Sequence, residues 1–170
     1  MTTWPPSYDE SYRPEPGSRY WFKERECQDP EVRDQEILQK IQAVMRWAWE
    51  RAPFYRKKWS AAGLEPGDIK SLEDFRKVPI LTKQELREDQ AAHPPFGSYL
   101  CIEPNEVFHI HGTSGTTGKP TAFVIGRDDW RRIANAHARV MWGFSLRPAD
   151  TVFFGSFFSL YMGGWGALAG

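Results

Sequence analysis

The chain of 170 residues has no net charge: 22 Lys and Arg stand against 22 Asp and Glu. A dedicated nucleic-acid binder needs a basic excess to neutralise phosphates, so this balance argues against that class of partner. Cysteine is nearly missing. Cys27 and Cys101 form neither a CxxC redox pair nor a disulfide framework, and read as free thiols in a reducing compartment. The first residues, Met1-Thr2-Thr3-Trp4-Pro5-Pro6, lack a basic region followed by an apolar run, so no secretory signal is visible and the cytoplasm is the expected location. Clustered metal ligands are also missing. His109 and His111 would share one face of a strand but have no third ligand near in sequence, and His93 and His137 read as surface or packing residues, so no metal site is expected.

Long apolar runs are absent with one exception. Residues 151–170, TVFFGSFFSLYMGGWGALAG, carry no charge, and Gly166 and Gly170 even have GxxxG spacing. Five glycines in those twenty residues weaken a continuous membrane helix. The run reads instead as buried strand, loop and helix in succession, with Thr151 to Phe154 as the strand and no membrane partner.

What the sequence does have is aromatic residues, 11 Phe, 6 Tyr and 8 Trp, within a hydrophobic share of 41%. That is enough for a globular core. Residues 1–20 hold four prolines without apolar periodicity and suggest an extended or disordered arm, with packing beginning at Trp21 and Phe22. Residues 21–100 read as helical. Asp29 can cap a helix opened by Pro30, with Val32, Ile37, Leu38, Ile41, Val44, Met45 and Ala48 on its inner face, until Pro53 stops it. Pro53 to Trp59, PFYRKKW, reads as a short helix with its aromatics inward. Ser71 with Asp74 and Thr82 with Glu85 are capping signatures for two more helices. Residues 101–170 have α/β character. Val107 to His111 and Thr121 to Ile125 read as strands, and Arg127 to Met141 as a helix with Trp130, Ile133, Ala134, His137 and Met141 on one side.

Between the two strands lies Gly112 to Pro120. Its three glycines let successive backbone N–H groups converge on an anion, its four hydroxyls add donors, and Lys119 adds a full positive charge. This is an inventory suited to phosphate oxygens. It is not a Walker A loop, which needs glycine where Thr113 stands and serine or threonine where Pro120 stands. A Walker loop also opens a helix, whereas Pro120 followed by TAFVI leads into a strand, so the loop should cap a strand-loop-strand hairpin. From composition alone a plain polar hairpin loop is an open alternative.

The string Ser114 to Thr121, SGTTGKPT, resembles the phosphate signature of the adenylate-forming superfamily of acyl-CoA synthetases, luciferases and nonribosomal-peptide adenylation domains. PFYRKKW, GLEPGDIKSLEDFRKVPILTKQELRE (63–88), IHGTSGTTGKPT (110–121) and the terminal MGGWGALAG are similar to its phenylacetate-CoA ligase branch. The resemblance implies the N-terminal portion of an α/β large domain, and an ATP-dependent two-step reaction. An aryl acid becomes an acyl adenylate, with Mg2+ carried on the nucleotide, and coenzyme A then displaces AMP. By position, Thr113, Ser114, Gly115, Thr116, Thr117, Gly118 and Lys119 would hold the ATP phosphates. Lys83 would approach the nucleotide, or else be a solvated first-turn lysine. Phe158, Tyr161, Gly163 and Gly164 would begin the acyl pocket.

The family's adenine and metal motif, its ribose aspartate and its C-terminal lysine domain have no counterpart in these 170 residues, and no catalytic residue can be assigned. Charge is divided as well: residues 111–170 hold six Lys/Arg and three Asp/Glu, against sixteen and nineteen before them. The expectation is an incomplete N-terminal segment, inactive alone, completed by a C-terminal polypeptide or a homo-oligomer. The competing expectation is a non-catalytic phosphate-binding module, or a relic, that pairs with another chain.

Overall fold

A computed structural model describes residues 12–113, 120–155 and 158–170. In chain order the helices are α1 (Lys23–Glu26), α2 (Pro30–Arg51), α3 (Pro53–Ala61), α4 (Leu72–Phe75), α5 (Lys83–Ala92), α6 (Arg127–Gly143) and α7 (Met162–Ala169). The strands β1 (Val107–Gly112) and β2 (Ala122–Gly126) lie between α5 and α6. The described residues divide into two compact units, one of residues 29–105 and one of residues 12–28 with 106–170.

The first unit is helical, and local sequence sets its element ends. Asp29 accepts from the N–H groups of Glu31 (2.8 Å) and Val32 (3.3 Å), with Pro30 in the first turn of α2. Pro53 then opens α3. At α4, Ser71 Oγ accepts from Asp74 N–H. At α5 the capping box closes both ways: Thr82 Oγ1 accepts from Glu85 N–H, and the Glu85 carboxylate accepts from Thr82 N–H at 2.8 Å. The core consists of Met45, Ala48, Trp59 and Ile69, with Leu38, Ile41, Trp49 and Tyr55 packed around it. Trp49 and Trp59 stack at 6.3 Å, so the PFYRKKW aromatics do turn inward. Two residues expected on the inner face of α2, Val32 and Ile37, are exposed. The core begins further along the helix, and helical periodicity continues past the point where anything packs on it.

A loop after α5 is held by Asp89, whose carboxylate accepts from Ser98 N–H (2.6 Å) and Ser98 Oγ (2.7 Å). Gly97 sits there at φ +81°, where a Cβ would meet the Tyr99 ring at 2.5 Å, so no larger residue fits.

In the second unit β1 and β2 pair antiparallel, His111 opposite Phe123 and Gly112 opposite Ala122, with an irregularity between Val107 and His109. Both strands match their expected positions to within a residue. Residues 151–154, expected as a further strand, form none, and Phe153 is 93% exposed. No strand among the described residues lies alongside to accept their backbone groups, and an unpaired segment has no ladder to join. The terminal apolar run does end in a helix, α7, and no described helix is long and apolar enough to cross a membrane.

Of the expected arm, residues 1–11 lie outside the described residues. Residues 12–22 are held by side chains: Tyr12 Oη donates to Trp21 O at 2.8 Å, and Trp142 Nε1 donates to Ser18 O at 3.1 Å. Arg147 donates to the carbonyls of Pro16, Ser18, Trp142 and Leu146 while its guanidinium lies 3.8 Å from the Trp142 ring centre. One planar side chain thus caps the end of α6 and ties down the segment before α1.

The GxxxG spacing serves a close helix contact. A Cβ on Gly166 would overlap the His137 imidazole of α6, and one on Gly170 would lie 2.7 Å from Ala138 N. Gly166→Val should therefore lower stability by about 1–3 kcal/mol, read as a fall in the denaturation midpoint. An unchanged midpoint would show that α7 does not pack on α6 in this way.

A pH dependence follows for the first unit. The Lys58 ammonium bonded to Glu85, aided by Thr82, holds the Glu85 carboxyl down to about 2. A lowered folded-state pKa means that the unfolded chain binds more protons, so this contribution is present above the ordinary carboxylate range and is lost as pH falls toward 2. Glu85→Gln should flatten the acid limb of stability between pH 4.5 and 2. An identical acid limb in this variant would contradict the pairing.

Candidate functional site

The candidate site lies in the second unit, at the end of the hairpin. Of its expected phosphate ligands, only Thr113 is described; Ser114, Gly115, Thr116, Thr117, Gly118 and Lys119 lie outside the described residues. The base of the loop is nevertheless built in detail. Thr113 N–H donates to Thr121 O at 3.1 Å, and Thr121 N–H donates to Thr113 Oγ1 at 3.3 Å. These bonds close the hairpin on either side of the expected loop. A Cβ at Gly112 would sit 3.2 Å from Pro120 and 3.6 Å from Leu160, so the strand end is tightly enclosed.

Side chains two residues apart share a strand face, and here His109 and His111 face α6. Trp130, in the first turns of α6, stacks on His109 at 4.1 Å and lies parallel to His111 at 6.3 Å. Phe123 lies 6.0 Å from His111 across the hairpin. On the other side, Trp165 of α7 lies 6.2 Å from His109 and 4.9 Å from Phe158, which itself stacks with Phe154. An aromatic layer thus runs from Phe154 and Phe158 through Trp165 and the two histidines to Phe123 of β2. Burial, and next the neighbouring His111, pushes the His109 imidazole below its ordinary value, favouring its neutral form in this stack. Among the described residues no group of three or more His, Cys, Asp or Glu is placed to hold a metal.

The segment expected to begin the acyl pocket is joined to this layer by polar contacts. The Leu160 carbonyl accepts from Gly112 N–H at 2.9 Å and from His111 Nδ1 at 3.2 Å. A carbonyl can only accept, so this hydrogen bond requires the proton to be on Nδ1 of His111. Trp165 Nε1 donates to Ser159 O at 2.8 Å. Phe158 and Tyr161 are 43% and 58% exposed, while Gly164 is buried in α7. At Gly163 a Cβ would meet the Tyr161 ring at 2.5 Å, so glycine there keeps that ring against the helix start. Lys83 is exposed in the first turn of α5, in the other unit. Two buried polar atoms, His111 Nε2 and Thr121 Oγ1, have no hydrogen-bond partner among the described residues, which costs about 1–3 kcal/mol each unless a water or ligand satisfies them.

No family model matches the sequence. A curated phenylacetate-coenzyme A ligase of Escherichia coli (strain K12) is 36% identical over 129 residues, covering 76% of this chain and 28% of that protein. One from Thermus thermophilus is 32% identical over 132 residues, covering 78% of this chain and 28% of that protein. Among solved structures, 2-hydroxyisobutyryl-CoA ligase in complex with 2-HIB-AMP and CoA is 60% identical, covers 98% of this chain and superposes with a TM-score of 0.94. The chain is similar, over nearly its whole length, to the N-terminal part of adenylate-forming CoA ligases. It spans 28% of the length of the curated ligases and 35% of that solved ligase, and corresponds to their N-terminal part.

Sequence reasoning found the hairpin and both of its histidines. It missed the role of Trp165, and it could not see the Leu160 carbonyl, because a backbone acceptor leaves no mark in residue type. Trp130 had a signal, its place on the inward side of α6.

Proposed function

We propose that this chain supplies the ATP-phosphate loop and the beginning of the acid pocket of an acid–CoA ligase. The carboxylate of the substrate attacks the α-phosphorus of ATP, forming acyl-AMP and releasing pyrophosphate. The thiol of coenzyme A then attacks the acyl carbon and expels AMP. The observation that carries this reading is the 60% identity, across 98% of the chain, to a ligase solved with its acyl adenylate and CoA. In the proposal the backbone N–H groups, the hydroxyls of residues 113–117 and Lys119 hold and neutralise the β- and γ-phosphates, with Mg2+ arriving on the nucleotide. Lys83 is a second nucleotide contact. Phe158, Tyr161, Gly163 and Gly164 form one wall for the acid. The groups that complete the site lie in the remaining two-thirds of a ligase, so the 170-residue polypeptide alone should not turn over.

For the acid, the identity to the 2-hydroxyisobutyryl-CoA ligase favours a short branched hydroxy acid. An aryl acid is the second reading, supported by the relatives named for phenylacetate and by the aromatic layer that runs through Phe158 and Trp165.

The test is a chimera in which this chain replaces the N-terminal third of the 2-hydroxyisobutyryl-CoA ligase. It should release pyrophosphate when given MgATP and 2-hydroxyisobutyrate, and a preference for phenylacetate would select the aryl reading. In the same chimera Lys119→Ala should cost about 10²-fold in kcat/KM, and Gly115→Val should also weaken ATP use by obstructing the loop backbone. A well-folded chimera that binds nucleotide without turnover would favour a binding module instead. Unchanged kinetics in both variants would remove the phosphate-loop assignment.

A further inference from the structure

His111 lies on the hairpin face beside the apolar rings of Trp130 and Phe123. It is 2% exposed, and its Nε2 is left without a partner among the described residues. What the imidazole adds over an apolar residue is one directed hydrogen bond, from Nδ1 to the Leu160 carbonyl. That bond acts on a segment whose side chains are only partly covered. Phe158, Leu160 and Tyr161 are all exposed, so burial does not fix residues 158–161. Their hydrogen bonds are those of the Leu160 carbonyl, the Ser159 carbonyl held by Trp165 Nε1, and the local bond from Tyr161 N–H to Ser159 Oγ, beside the ring contact of Phe158 with Trp165. The Leu160 carbonyl also receives Gly112 N–H, the last residue of β1. One oxygen therefore joins the strand that leads into the expected phosphate loop to the segment that carries the expected acid wall.

We propose that His111 is a positioning residue for acid activation: through Nδ1 and the shared Leu160 carbonyl it sets the acid wall at Phe158 and Tyr161 relative to the end of β1. The proposal rests on the ligase reading. It assigns His111 no contact with the reacting atoms and no proton transfer. Its effect is on how well the wall receives the acid, which is a matter of substrate affinity.

The test compares three substitutions in the ligase chimera. His111→Leu removes the donor and should raise the KM for the acid about fivefold, the worth of one ordinary hydrogen bond, with kcat little changed. His111→Asn places an amide N–H near the position of Nδ1 and should restore most of the acid KM. His111→Gln, whose amide reaches toward the position of Nε2, should not. A general loss of fold would lower kcat and active fraction in all three without this pattern, and that result would overturn the proposal. So would an unchanged acid KM in His111→Leu, or rescue by Gln and not by Asn. If His111→Leu does not fold, the Asn and Gln pair decides alone. In parallel, ring-nitrogen NMR of the unaltered 170-residue chain at pH 8 should find His111 protonated at Nδ1; protonation at Nε2 would overturn the proposal directly. An unaltered chimera that is inactive counts against the ligase reading itself, whereas an active one with an unresponsive His111 overturns this inference only.

Discussion

The second unit depends on one backbone oxygen. The Leu160 carbonyl accepts from Gly112 N–H and His111 Nδ1, joining the end of β1 to a segment whose own side chains are largely exposed. Without these bonds residues 158–161 would be held by the Ser159 contacts and by ring and van der Waals packing, with no hydrogen bond to the hairpin itself among the described residues. The aromatic layer of Phe158, Trp165, His109, Trp130 and Phe123 then supplies the area that makes the arrangement stiff. Polar contacts set direction here, and ring packing sets rigidity.

Around this joint, close approach is paid for in small residues. Gly112 lies under Pro120 and Leu160, Gly163 lies against Tyr161, and Gly166 and Gly170 admit α6 at His137 and Ala138. His137 in turn bonds its ring nitrogen to the Ile133 carbonyl one turn back, at 2.9 Å, which fixes the imidazole that Gly166 must clear. The glycine-rich end of the sequence is therefore a packing surface. Just past the C-terminal end of α6, Arg147 performs the corresponding task for residues 12–22 with a single guanidinium.

Much of this was legible in the sequence where the signal is local. Asp29 with Pro30 and the Thr82–Glu85 box place two helix starts by their own hydrogen bonds, and the alternation in VFHIHG and TAFVI places two strands. Signals that need a partner misled. Val152 and Phe153 have strand propensity but no neighbouring strand among the described residues, and Val32 and Ile37 continue a helical stripe beyond the core it serves. The candidate site divides the same way. The phosphate signature and the two histidines are readable as residue types, whereas the Leu160 acceptor is backbone, and the pairing of Gly166 with His137 joins residues far apart in sequence. The GxxxG spacing was visible, and only the packing identifies its partner as α6.

The account rests centrally on the β1–β2 hairpin being where the nucleotide phosphates are held. Hydrogen–deuterium exchange on the ligase chimera, with and without saturating MgATP, tests this most directly. The account predicts slowed exchange at residues 112–121, extending to the segment around Leu160. Nucleotide binding that leaves exchange at 112–121 unchanged, with protection confined to other regions, would contradict it.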